Sequence, residues 1–362
     1  MKKILLLVNT YYQLIVAIQL NNTLFKDCKT LLLLSDHSKD TDVITKKLRE
    51  EKIFSQVEYV KTKGLVSSRS PGDKLIDFFQ ISFCNNNRYS FYLNNIDDLY
   101  IDEIVFFNFL IDIYGIYSIL SKYNKSLKLS LFEESVTSYG IDTSETQRRK
   151  MINYLRRIQK KSVIVNSISN FYCFYPEIYK GVLNPVEIPL VSKDGETANQ
   201  LRKVFNLDIE NYYIEKYIYF SGVFDFEGGD PIGEGDLVDK IAATVGADNL
   251  LIKVHPRDTR DFYIKAGYKV DMYSGVPWEA IQLSKDFSNH IFLTAASSSV
   301  LAGSFMSERP IKTFLLYKEC NIKNNTMATE SVHNINELLI NESLKNALNN
   351  VHTLSRVEGI IE

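Results

Sequence analysis

The chain has 362 residues, 45% of them hydrophobic and 24% charged, which is ordinary for a globular protein and enough for two domains with sizeable cores. A formal net charge of -2 supplies no global field that would recruit nucleic acid. The four cysteines, Cys28, Cys84, Cys173 and Cys320, show neither metal-ligand spacing nor a short disulfide framework, which fits a reducing cytoplasm, and no run is long enough to span a membrane.

Lys3 to Val8 reads as a buried parallel strand. Its basic-then-apolar start imitates a signal peptide, but the stretch is short and Asn9 and Thr10 interrupt it without a small-residue cleavage site. Thr10 to Gln13 reads as a loop, Leu14 to Leu24 as a helix, Thr30 to Ser35 as a strand, Asp42 to Glu51 as a helix and Val57 to Val60 as a third strand. A loop with Pro71 and Gly72 is expected over Ser67 to Asp73. Glu103 to Phe107 is a strand followed by a helix through Leu120, and Leu127 to Phe132 is a strand ending in Glu133 and Glu134. Glu145 to Lys161 is a basic helix with Arg148, Arg149, Lys150, Arg156, Arg157, Lys160 and Lys161. Such a run is usually a solvated face; the sharper reading is contact with anionic lipid or an acidic acceptor.

Val182 to Ser192, with Pro185 and Pro189, reads as a connection between domains. A second alternating series follows: strand Tyr217 to Ser221, a loop rich in Gly, Asp and Glu, helix Asp236 to Val245 with Asp236 as its N-cap, and strand Leu250 to Val254. Ile291 to Thr294 is a strand leading through Ser297, Ser298 and Ser299 into a helix through Phe305. Ile311 to Leu316 closes the series, and Asn336 to Asn349 reads as a helix. Tyr212, Tyr213, Tyr217 and Tyr219 sit in apolar runs and suit core packing. Alternation of strand and helix in both halves predicts two Rossmann-like α/β domains, 1–190 and 191–362, facing a central cleft. Val8 to Tyr12 hold no Gly-rich fingerprint, which argues against a nicotinamide or flavin site.

The chemistry-bearing residues gather at strand ends, where open α/β sheets bind ligands. His255 ends the run Leu250 to Val254 and is the only one of the five histidines followed by proline, Pro256. Lys253 precedes it. The loop after Ser221 and Gly222 carries Asp225, Glu227, Asp230, Glu234 and Asp236. Ser297 to Ser299 at a helix start would cradle a phosphate or simply cap the helix. Glu279, after Pro277 and Trp278, would accept bonds from a ribose or favour the helix dipole. Glu133 and Glu134 would supply a general base, their proximity raising one carboxyl toward neutrality; the alternative is an exposed acidic loop. No cluster has metal spacing, and no Asp-x-Asp pair is placed to hold a nucleotide-bound metal.

In order, these segments resemble bacterial sialyltransferases of glycosyltransferase family 52, which act in lipooligosaccharide and capsule synthesis. Asn9, Thr10, Tyr11, Tyr12, Gln13 and Leu14 are similar to the family's Thr-Pro-Tyr-Gln-Leu opening. Glu133–Glu134 is similar to its acidic-acidic-glycine motif, His255–Pro256 to its His-Pro motif, and Ser297 to Ser299 to its serine motif. Tyr11 stands where the family has proline, and Ser135 where it has glycine. The resemblance implies a GT-B fold and transfer of sialic acid from CMP-sialic acid to a galactose-ended acceptor, with inversion and no essential metal. It implies that His255, Ser298 and Ser299 handle the CMP phosphate and that Glu279 binds the ribose, with Lys253, Pro256, Ser297 and Gly222 among the donor-binding residues. The base is Glu134 or, from the loop before the His-Pro strand, Asp230 or Asp236. The family includes intertwined dimers, so the resemblance extends to a homodimer. The expected location is the cytoplasm, with the basic helix bringing the enzyme to the inner membrane face. Two alternatives remain: the same fold with another activated donor (a UDP-sugar or CDP-polyol), and a non-catalytic nucleotide-binding scaffold.

Overall fold

In a computed structural model the chain forms two compact units, Met1–Pro189 and Leu190–Glu362. The structure describes residues 1–62, 70–83, 88–107, 111–135, 138–139, 147–161, 163–207, 213–271, 276–308 and 311–362. Residues 67–69 of the expected loop 67–73, the residues Cys84, Val136, Thr137, Gly140 and Tyr212, and the first two residues of the expected basic helix lie outside the described residues.

The first unit runs β1 (Lys3–Val8), α1 (Tyr11–Asn22), β2 (Lys29–Ser35), α2 (Thr41–Glu50), β3 (Gln56–Val60), α3 (Pro71–Phe83), β4 (Glu103–Phe106), α4 (Ile111–Leu120), β5 (Lys128–Phe132), α5 (Gln147–Ile158), β6 (Ile168–Cys173) and β7 (Asn184–Glu187). Its strands lie in the order β3-β2-β1-β4-β5-β6-β7. Every pairing is parallel, with Leu5 between Leu31 and Ile104 at the centre. Parallel strands are covered on both faces, which is why β1 and β2 are almost unbroken runs of buried Leu and Ile. Two expectations shift here. The helix after β1 begins at Tyr11, because Thr10 caps it by accepting from the Gln13 amide at 3.3 Å. Pro71 and Gly72 open α3 rather than a loop, a position where proline's fixed φ and missing donor cost nothing.

The second unit runs α6 (Glu196–Val204), β8 (Tyr217–Phe220), α7 (Glu234–Val245), β9 (Leu250–Lys253), α8 (Phe262–Lys265), β10 (Lys269–Val270), α9 (Trp278–Ser284), β11 (Ile291–Thr294), α10 (Ser299–Met306), β12 (Thr313–Leu315), α11 (Thr326–Leu339) and β13 (Val351–Thr353). The strand order is β10-β9-β8-β11-β12-β13, the 3-2-1-4-5-6 order of doubly wound nucleotide folds. Tyr213, Tyr217 and Tyr219 are core residues. α7 starts two residues before Asp236 with Gly233 at its N-cap, so Asp236 is an exposed first-turn residue and not the cap. The last long helix is α11, not 336–349; Asn325 caps it and the chain turns after Ile340.

Candidate functional site

In the second unit three strand ends share one row. Phe220 of β8 pairs with Lys253 of β9 and with Thr294 of β11, and the strand order reverses between β8 and β11. At such a switch point the flanking connections diverge and leave a crevice at the carboxyl edge. The segments carrying Ser221–Gly222, His255 and Ser297–Ser299 all leave from this row, and hydrogen bonds join them. The His255 amide donates to Ser221 Oγ at 3.0 Å. Thr294 Oγ1 donates to the Phe220 carbonyl at 2.9 Å and accepts from the Ser297 amide at 2.9 Å.

His255 is half-buried, and its Nδ1 accepts from the Arg257 amide at 3.1 Å. An accepting Nδ1 assigns the proton of a neutral ring to Nε2. Burial first, then the charge of Arg257, lowers its pKa below the usual histidine value, so the neutral donor form prevails at pH 7. Nε2 has no hydrogen-bond partner among the described residues.

Ser297 Oγ bonds Ser299 Oγ at 2.7 Å, and Ser298 stands at the N-cap of α10 without a side-chain capping bond. The capping alternative therefore does not account for these hydroxyls. Ser298 is exposed, and a helix start with open donors favours an anion. Gly303, one turn on, brings α10 against α9: a Cβ there would meet the Gln282 amide at 1.9 Å.

Other expected donor-side residues are engaged within the chain. Lys253 is buried in an ion pair with Asp271 at 2.9 Å, and Asp271 also accepts from Tyr213 Oη at 3.0 Å. Its charge therefore acts through the field, lowering the pKa of His255 and opposing the upward push on Glu279. The Gly222 amide donates to Glu234 Oε1 at 2.7 Å, and a Cβ at Gly222 would meet the Phe224 ring at 2.3 Å. Pro256 is exposed beside His255. Glu279 sits in the first turn of α9, half-buried, with its pKa raised chiefly by burial. Trp278 anchors that turn, its ring 4.8 Å from Phe220 and 5.5 Å from Phe287. Against β9 and β10 a hollow of about 260 Å³ is lined by Val254, His255, Pro256, Asp258, Phe262 and Val270.

The loop between β8 and α7 is tightly held. Asp225 accepts the amides of Ile232, Gly233 and Glu234 at 2.9, 3.1 and 2.9 Å. Buried Asn325 donates to the carbonyls of Phe224, Glu227 and Asp230 at 2.7, 2.8 and 3.2 Å while its Oδ1 caps α11 at 2.9 Å. Gly229, at φ +130°, lets the loop pass so close that a Cβ would meet the Asn324 carbonyl at 2.3 Å. Arg257 pairs with Glu227 at 2.8 Å, and Arg260 lies 4.0 Å from the Phe226 ring centre, tying this loop to the His255 segment. The Asp230 carboxylate is exposed and has no partner among the described residues. Glu234 is buried, accepts from Tyr219 Oη at 2.9 Å, and is pushed up to about 7 by burial.

In the first unit the opening motif and the carboxylate pair meet. Glu133 is fully buried and accepts from Tyr12 Oη at 2.6 Å, the Phe174 amide at 3.0 Å and Tyr139 Oη. Glu134 Oε1 accepts from Gln13 Nε2 at 2.9 Å and Thr10 Oγ1 at 3.3 Å, and Gln13 is oriented by accepting the Asn9 amide at 2.7 Å. Ser138 Oγ accepts the amides of Glu134 and Ser135 at 2.8 and 3.0 Å, closing the turn. Both carboxyls titrate high, Glu133 at about 7, and the cause is burial rather than mutual repulsion. Glu134 is half-buried, and its Oε2 has no partner among the described residues. A larger hollow, about 620 Å³, lies at the opposite edge of the sheet, where β2 and β3 begin, and holds none of these groups. Among the described residues no three His, Cys, Asp or Glu side chains form a group able to hold a metal.

Two parallel sheets of 7 and 6 strands, each doubly wound, make up the two units, and a solved structure aligns along nearly the whole chain. This is the α/β-galactoside α-2,3-sialyltransferase of the luminous marine bacterium Photobacterium phosphoreum, at TM-score 0.50 and 14% identity over 97% of this chain and 98% of that chain. The chain has the GT-B fold. Weaker likenesses include a putative UDP-N-acetylglucosamine 2-epimerase from Listeria monocytogenes (TM-score 0.45, 9% identity, 100% and 95% covered) and MurG of Acinetobacter baumannii (0.39, 10%, 100% and 98%). No protein-family model matches the chain, and no curated protein matches it in sequence.

Sequence reasoning gave no role to Glu234, Asn325 or Tyr139. Asn325 before Thr326 and an apolar-periodic stretch is an N-cap signal. Nothing in the sequence says that the same amide clamps a loop some 95 to 101 residues earlier.

Proposed function

We propose that the chain is an inverting sialyltransferase that moves sialic acid from CMP-sialic acid to a galactose-ended acceptor of a glycolipid or capsular polysaccharide. The observation that carries the reading is the pairing at one switch point of an Nε2–H donor on neutral His255 with the uncapped serines of α10. As the bond between the anomeric carbon and the phosphate oxygen breaks, negative charge grows on the departing CMP, and pre-set donors stabilise it. Ser298 and Ser299 bind the same phosphate at the positive end of α10. The hollow beside His255, close to the size of a small-molecule site, receives the base, and Glu279 the ribose. The acceptor hydroxyl attacks the anomeric carbon, and its proton passes to a carboxylate. Glu134 fits this role: burial raises its pKa toward the working range and Oε2 is open. Asp230 is the rival; its carboxylate is exposed.

Nucleotide selection tests the donor. Thermal shift with CMP, CDP-glycerol, UDP and UDP-sugars should give its largest rise with CMP compounds, and that rise should shrink in Ser298→Ala/Ser299→Ala. A larger rise with UDP would move the reading to a UDP-sugar transferase. No rise with any nucleotide would remove it.

A further inference from the structure

A further surface lies on α3 and α5 of the first unit. From Gln147 to Lys161 the chain carries seven basic residues and no carboxylate. It is not simply a solvated charged helix. Ile152, Asn153 and Arg156 are buried, while Met151, Tyr154 and Ile158 are 50%, 59% and 62% exposed. At 3.6 residues per turn these three fall within about 60° of one another, and exposed Lys150 and Arg157 lie within about 60° of Tyr154. The apolar side chains thus take the outward face and the cations flank them.

α3 adds a second outward apolar face. Leu75, Ile76, Phe79 and Phe83 are about half exposed and share an arc of about 100°, with Phe79 and Phe83 stacked at 5.9 Å. The helix ends are tied: Gln159 Nε2 donates to the Ser82 carbonyl at 2.9 Å and Lys161 Nζ to the Phe83 carbonyl at 2.8 Å. Grouped apolar side chains of this size on a surface mark an interaction site. The charge around them selects the partner. On α5, whose segment holds no carboxylate, a face of aromatic and aliphatic side chains with cations at its border matches a bilayer whose headgroups are anionic; α3 adds apolar side chains and carries Asp73 and Asp77 beside Lys74. No helix among the described residues is long and apolar enough to cross a membrane, so the contact is peripheral.

We propose that α3 and α5 together dock the protein on an anionic lipid surface, with Phe79, Phe83, Met151, Tyr154 and Ile158 entering the interface and Lys150 and Arg157 facing the headgroups. The test is co-sedimentation of the full chain with vesicles of phosphatidylglycerol and phosphatidylcholine, and with phosphatidylcholine alone, at low and high salt. The expected result is binding to the anionic vesicles only, released by salt. Met151→Ser/Tyr154→Ser/Ile158→Ser should cut the partition at least about tenfold, and Lys150→Gln and Arg157→Gln should each cost about fivefold. These side chains are exposed, so the variants should keep the wild-type melting temperature. Absence of vesicle binding, equal binding to neutral vesicles, or full binding by the triple variant would each overturn the proposal. So would a wild-type dimer in analytical ultracentrifugation that the triple variant abolishes, which would assign this face to a second copy.

Discussion

Asn325 makes a sharp test of how the second unit builds its site, because one side chain does two separable things. Its Oδ1 caps α11, and its Nδ2 satisfies three carbonyls of the loop between β8 and α7. Asn325→Ala removes both. Loss of the cap costs about 1 kcal/mol, and leaving buried carbonyls short of a donor costs about 2 kcal/mol more. At about 2–4 °C per kcal/mol for a unit of this size, the melting temperature should fall by about 6–12 °C. Asn325→Asp separates the roles. Aspartate caps as well as asparagine, but it sets an acceptor against three carbonyl oxygens. It should therefore lose at least the clamp's share of the fall, and loosen the loop that carries Gly222, Glu234 and Asp230. Differential scanning fluorimetry with and without CMP reads both effects: a lower melting temperature and a weaker nucleotide shift. An Asn325→Asp protein that melts with the wild type and binds nucleotide equally well would refute the clamp.

Other outcomes follow from the same geometry. His255→Ala should lower kcat about a hundredfold, the loss of one donor to a developing oxyanion, with a smaller change in KM; steady-state kinetics with donor saturating checks this. Glu134→Gln should abolish acceptor-dependent transfer while leaving slow donor hydrolysis, and Asp230→Asn should keep transfer; the reverse pattern would move the base to Asp230. Glu133 and Glu234 both titrate at about 7 in the folded protein, against about 4.3 in an unfolded chain. The folded state holds more protons in that window, so the stability these groups contribute is present below about 4.3 and is lost as pH rises through about 7. Melting temperature should fall from pH 5 to pH 7.5, and the slope should flatten in Glu133→Gln/Glu234→Gln.

The sheet was legible where strands are buried apolar runs. Lys3–Val8 and Ile291–Thr294 match their expected bounds, and the other central strands fall within a residue or two, because burial on both faces leaves a simple signature. The register of helices was less visible. α1 is buried from Gln13 to Leu20 on every side, so it has no polar face to set its period, and its polar-aromatic first turn looks like a loop. β7 was hidden by Pro185, which an edge strand tolerates because one of its sides makes no ladder bonds. The stretch read as a connection is therefore partly sheet. At the sites, the sequence showed His255, the serines and the carboxylate pair as groups at strand ends. What it did not show is occupancy: that Lys253 is spent on Asp271, that Gly222 is spent on Glu234, and that Gln13 reaches across to Glu134. Those are long-range pairings, and periodicity and spacing carry no information about them.

The central claim is sialyl transfer, and product analysis tests it most directly. Purified protein is incubated with CMP-sialic acid and galactose-ended acceptors, and CMP and sialylated product are quantified together by chromatography and mass spectrometry. The account predicts CMP release matched one for one by sialylated acceptor in the wild type, with both falling about a hundredfold in His255→Ala. No CMP release with any galactoside, or equal release by the wild type and His255→Ala, would contradict it.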